Sequence, residues 1–172
     1  VLTVKLVYND KCKHLVEELT RFDGYCFNLE TYDEEHYKER KLGFKIKGSC
    51  GAKELPFIAV YDKGELVKAF YTEANECNLK NILEWIRNYL MEHANKGHLT
   101  ITKIEGVDNE TIPIGDVHSG YTENFVEGLP LFIGTFSRWY GTSNVVEIDW
   151  ENERFKTKNS TYSFEFNASP SN

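Results

Sequence analysis

The sequence predicts an α/β domain over residues 1–92 and a small, mostly antiparallel β domain over residues 98–168, built as a partly open barrel. Three observations predict this. Over the first 92 residues the apolar spacing switches between periods of 2 and 3.6 in the order β-α-β-α-β-β-α. Leu79, Ile82, Leu83, Ile86, Tyr89 and Leu90 form one broad apolar stripe, the strongest helical period in the chain. Beyond Gly97 helical spacing stops and Gly, Thr, Ser and aromatic residues dominate. The balance also shifts, from 14 basic and 16 acidic residues in the first 92 to 6 basic and 11 acidic in the last 80.

Residues 3–8 read as a strand ending at the turn Asn9-Asp10. A helix follows over about Cys12 to Arg21, with Leu15, Val16, Leu19 and Phe22 on one face and Asp10 as its N-cap. Tyr25–Thr31 reads as a second strand. Asp33-Glu-Glu opens a polar helix to about Lys41, with carboxylates first and bases last as the helix dipole prefers. Phe44–Gly51 is an extended piece entering a glycine-rich loop. The apolar run Phe57–Tyr61 then reads as a central strand, Asp62-Lys63-Gly64 as a tight turn, and Leu66–Phe70 as the returning strand. A proline at the mouth of a central strand donates nothing to the ladder, and a cis Leu55–Pro56 bond is one reason for it. Asn75 or Asn78 caps the terminal helix, and Asn95-Lys96-Gly97 ends it as a hinge.

Composition narrows the function classes. Apolar content of 41% supplies folded cores, and no run approaches the ~18 apolar residues of a membrane span. The net charge of −7, with scattered Lys and Arg, argues against nucleic acid as the main partner. The N-terminal residues read as a strand rather than a signal peptide. Cys12, Cys26, Cys50 and Cys77 fit no zinc or Cys-x-x-Cys spacing, and the sequons at Asn109, Asn159 and Asn167 read as chance matches. The expected setting is a reducing cytoplasm with four free thiols.

The element order, Pro56 opening the third strand and Gly64 eight residues later in the hairpin resemble the thioredoxin/glutaredoxin family. The resemblance covers residues 1 to about 92. It implies an α/β thioredoxin-like domain, a mixed four-stranded sheet flanked by helices, with Pro56 cis. Within Asn9-Asp-Lys-Cys12-Lys-His14-Leu15 it places Cys12 at the catalytic nucleophile, while Leu15 stands where a resolving cysteine belongs. It assigns glutathione contacts to Leu55, Pro56 and Cys77, although the Gly-Gly pair expected near Cys77 is absent. Independently of any family, a thiol in a helix's first turn, beside Lys11 and Lys13, would be pushed toward thiolate. The alternative is that Cys12 is a relic. Cys26 reads as core, His14 as solvent-facing, and Cys50 as either a resolving thiol or a loop residue.

In the second half, Leu99–Ile104, Leu129–Phe136, Asn144–Trp150, Arg154–Thr157 and Thr161–Phe166 read as short strands. Residues 112–116 and 119–121 read as loops, and residues 167–172 as a frayed tail. The run Thr142–Ile148 followed by Thr157–Tyr162 resembles a pattern in small bacterial and phage proteins of unassigned function. Asp108, Glu110, Asp116, His118 and Glu123 carry metal-ligand residue types but match no motif spacing, so a solvated acidic loop is expected. Arg138, Trp139 and Tyr140 are the most interface-like group. The competing expectation has Trp139 packed under its own loop with only Arg138 exposed.

These readings lead to a non-catalytic protein-binding module or adaptor, with a protein partner, no membrane, no nucleic acid and no cofactor. The alternative is a monothiol oxidoreductase, in which Cys12 attacks a disulfide or glutathione adduct and an external thiol releases it.

Overall fold

The computed structural model describes residues 1–34, 55–106 and 113–170. The chain divides into two compact units, Val1–Ile86 and Arg87–Asn172.

In the first unit, β1 (Thr3–Tyr8), β2 (Asn28–Asp33), β3 (Phe57–Asp62) and β4 (Glu65–Tyr71) form one mixed sheet in the order β2-β1-β3-β4. β1 runs parallel to β2 and antiparallel to β3. The β3–β4 hairpin turns on Lys63 and Gly64 at φ of 49° and 85°, the paired left-handed geometry that suits a two-residue connection. The Leu55–Pro56 bond is cis. Helix α1 (Lys13–Thr20) follows a 3₁₀ turn at Asp10–Cys12. Helix α2 (Leu79–Glu92) buries Ile82, Ile86 and Leu90, and Trp85 meets the Phe70 ring edge-on. Asn78 is its cap: the side-chain oxygen accepts the Asn81 N–H at 2.9 Å.

The second unit is a closed antiparallel barrel of β5 (Asn95–Gly106), β6 (Val117–Phe125), β7 (Pro130–Gly134), β8 (Trp139–Asp149), β9 (Arg154–Thr157) and β10 (Ser160–Ala168). Strands alternate inward and outward, so Leu99, Ile101, Leu131, Ile133, Val145, Phe155 and Phe164 fill the interior. Phe125 sits amid Phe155, Phe164 and Trp150, with ring centroids 5.1–5.5 Å away. Each such aromatic contact adds about 1 kcal/mol to its burial.

The α/β thioredoxin-like class is overturned. Among the described residues the chain is mostly β, with ten strands and two α-helices, a mixed sheet and a six-stranded barrel. Of the expected order β-α-β-α-β-β-α, the described residues carry β1-α1-β2 and β3-β4-α2. Of the helix expected over Asp33–Lys41 only Asp33 and Glu34 fall among the described residues; the extended piece Phe44–Gly51 and Cys50 lie outside them. Asp33, expected to open that helix, instead ends β2. The second strand also starts late, because Cys26 N–H bonds Phe22 O and Gly24 N–H bonds Phe27 O, which holds residues 22–27 in turns.

The barrel is closed rather than partly open. β10 pairs with both β9 and β5, so the tail expected to fray is a strand as far as Ala168. Gly97 is not a helix terminator but a buried strand residue, where a Cβ would run into Asn167 O. β6 crosses the stretch read as loops, because its inward positions His118, Gly120, Thr122 and Asn124 are small or polar and hide the alternation.

Candidate functional site

The register Val7↔Phe57 brings the segment after β1 beside Pro56, so the thiols assigned to chemistry can be judged against it. Cys12 does not enter the first turn of α1. It closes the preceding 3₁₀ turn as the residue before α1, and its side chain makes no cap bond to that helix. Asn9, rather than Asp10, starts the turn: its side-chain oxygen accepts the Lys11 N–H at 3.1 Å. The Cys12 thiol folds back on Asn9, 3.3 Å from its Oδ1 and 3.4 Å from its carbonyl, and accepts the Asn9 N–H at 3.3 Å. Cys12 is only 5% exposed. Leu15 is buried, His14 is exposed, and Cys26 is half-buried.

The carbonyl of Pro56 takes two donors, Thr72 Oγ1 at 2.7 Å and the Cys77 thiol at 3.4 Å. Burial pushes the Cys77 thiol up to about 11, and the Glu76, Glu73 and Cys12 charges add to this while the Thr72 hydroxyl opposes it. Leu55 packs against the cluster of Val7, Phe57 and Ala59. The structure thus gathers Pro56 and Cys77, with Cys12 within electrostatic reach.

The second group lies on the outer face of the barrel. Tyr121 pairs with Gly134 and Gly134 with Trp139, while Phe132 pairs with Gly141. The glycines act as seats. A Cβ on Gly134 would stand 2.5–2.6 Å from three atoms of the Trp139 six-membered ring, and one on Gly141 would stand 3.0 Å from the Phe132 ring. Each ring therefore lies over a glycine with its other side toward solvent. Trp139 is 73% exposed and Phe132 47%, so Trp139 is not packed under its own loop. Phe136 is fully exposed in the turn 135–138, which is pinned where Thr135 N–H meets Arg138 O at 2.9 Å. Tyr140 points the other way and lies against His118, with centroids 3.9 Å apart. Sequence reading found Arg138 and Trp139 but missed Phe132, Phe136 and the glycine seats. The Phe132/Gly134 and Trp139/Gly141 pairs, each two apart, were the available signal.

The acidic loop does not form a metal centre among the described residues. Asp108 and Glu110 lie outside them. Asp116 Oδ2 is 3.8 Å from His118 Nε2, which is buried with no hydrogen-bond partner among the described residues. Among the described residues no helix is long and apolar enough to cross a membrane. No protein-family model, curated protein or solved structure matches the chain.

Proposed function

We propose that the chain is a non-catalytic protein-binding module that engages its partner through the outer face of β6–β8. The observation that carries this reading is the group of exposed rings at Phe132, Phe136 and Trp139 beside Arg138. Trp, Tyr and Arg dominate interface energetics, and rings preset on a sheet lose little entropy on docking. The acidic balance of the second unit, 7 basic against 12 acidic residues, favours a protein over a nucleic acid. Cys12 and Cys77 are free thiols, which supports a reducing, cytoplasmic setting.

The thiols support the same reading. Cys12 is buried with its sulfur turned onto Asn9, and Cys77 keeps its proton on the Pro56 carbonyl. Burial of Cys12 and the raised value of the Cys77 thiol count against attack by either sulfur on a glutathione adduct.

A photo-crosslinking amino acid placed at Phe136, with a control at Lys158, tests the reading in a lysate of the source cells. Expected is a discrete adduct with a polypeptide at position 136, lost in Trp139→Ala. Equal labelling at both positions would sink the proposal. So would reduction of a glutathione mixed disulfide that disappears in Cys12→Ser.

A further inference from the structure

We infer that the polypeptide docking on the outer face of β6–β8 is a second copy of this chain, related to the first by a two-fold axis. The inference rests on the reading of that face as a protein contact and adds the identity of the partner. It comes from how charge is laid out along the face. Tyr121, Gly134 and Trp139 form one row across three strands. Arg138 precedes that row by one residue, on the turn side. Two residues beyond Tyr121, away from the turn, lies Glu123; continuing the antiparallel register places it beside Phe132. The Asn124 side chain, bonded to the Phe132 N–H at 3.2 Å, agrees with that alignment. Arg138 and Glu123 are both exposed and are offset by three residues, roughly 10 Å at ~3.4 Å per residue. Neither has an ion-pair partner among the described residues.

A face with a cation at one end, a carboxylate at the other and rings between is complementary to itself when turned by 180°. The turn superposes the two ring groups and sets each Arg138 against the other copy's Glu123. This is the isologous arrangement of a closed dimer, in which one patch serves both partners. Two chains of net charge −7 repel at long range, but at physiological salt that repulsion is screened beyond about 8 Å, whereas a contact pair is not. Phe136, at the turn end with Arg138, reaches toward the far end of the opposite face and extends the apolar contact.

Sedimentation equilibrium of the full chain, from low-micromolar to near-millimolar concentration, tests this. Expected is a mass rising from 20.0 kDa toward twice that value. Trp139→Ala should hold the mass at the monomer. Arg138→Glu and Glu123→Arg should each weaken association about tenfold, a loss of ~1.4 kcal/mol, and the double variant should recover most of it. These charge reversals sit at exposed positions, so they decide the matter even if Trp139→Ala does not fold. A mass fixed at the monomer, or a dimer indifferent to both reversals, overturns the inference. If the chain stays monomeric while the crosslinker at 136 captures a different polypeptide, the docking face stands and the second copy falls.

Discussion

Asn124 Oδ1 lies 3.2 Å from the Phe132 nitrogen, and Asn124 Nδ2 lies 2.5 Å from Pro130 O. One buried side chain thus supplies both a donor and an acceptor to β7 where ladder bonds would run, with Thr122 Oγ1 bonded to the same Oδ1. Asn124→Ala strands two backbone groups, the Phe132 N–H and the Pro130 carbonyl. The expected loss is about 2 kcal/mol in denaturant unfolding at an unchanged m-value. A loss below ~0.5 kcal/mol would mean that water replaces the amide without cost.

The Cys77 thiol makes stability depend on pH in a defined direction. Folding raises its value from 9.0 to about 11, through burial first, so the folded chain holds this proton more tightly than the unfolded one. The stabilisation is complete below pH 9 and is lost as pH climbs toward 11. Wild-type melting temperature should therefore fall more steeply over that window than that of Cys77→Ala. Parallel slopes would count against the buried thiol. At pH 8 iodoacetamide should modify Cys77 far more slowly than a free cysteine.

Two glycines on the barrel should respond differently to a methyl group. At Gly97 the new Cβ meets backbone: Asn167 O, and Ala168 Cα at 2.9 Å. At Gly134 its three nearest atoms all belong to the Trp139 ring, an exposed side chain that can swing away. Gly97→Ala should cost about 2–3 kcal/mol and Gly134→Ala about 1 or less, as judged by thermal melts. Near-UV circular dichroism should change for Gly134→Ala, because the indole loses its seat. The reverse ranking would mean that the β5–β10 contact is looser than it stands.

His118 is 8% exposed, and its Nε2 has no hydrogen bond among the described residues. Leaving a buried polar atom unpaired costs more than replacing it with an apolar group of the same shape. His118→Phe, which keeps a ring against Tyr140, should leave the melting temperature at pH 8 unchanged or raise it. A clear drop would show that the imidazole finds a partner in solution, with Asp116 the nearest.

The pieces of the fold legible in the sequence were those with strong local signals. The stripe Leu79–Leu90 announced α2, and Asp62-Lys63-Gly64 announced its hairpin, since each pattern is written over neighbouring residues. Barrel closure was not legible. It depends on β10 meeting β5 some sixty residues away, and Gly97 serves that distant contact while looking locally like a helix terminator. The site was half legible. Trp139 and Arg138 stood out by residue type, but whether the indole lies under a loop or on a glycine depends on the cross-strand register with Gly134. For Cys12, one turn of 3₁₀ helix decided the matter, by aiming the sulfur at Asn9 instead of along the axis of α1.

The closed ring of β5–β10 has a further consequence. Every strand there has a neighbour on both sides, so no row of main-chain amides remains to template an incoming peptide. Recognition by strand addition, which reads backbone first and side chains second, is closed to this unit. A partner laid on the barrel strands meets side chains first. On the proposed docking face, substitutions at Phe132, Phe136, Arg138 and Trp139 change side chains without creating a sticky edge that would carry the chain toward fibres.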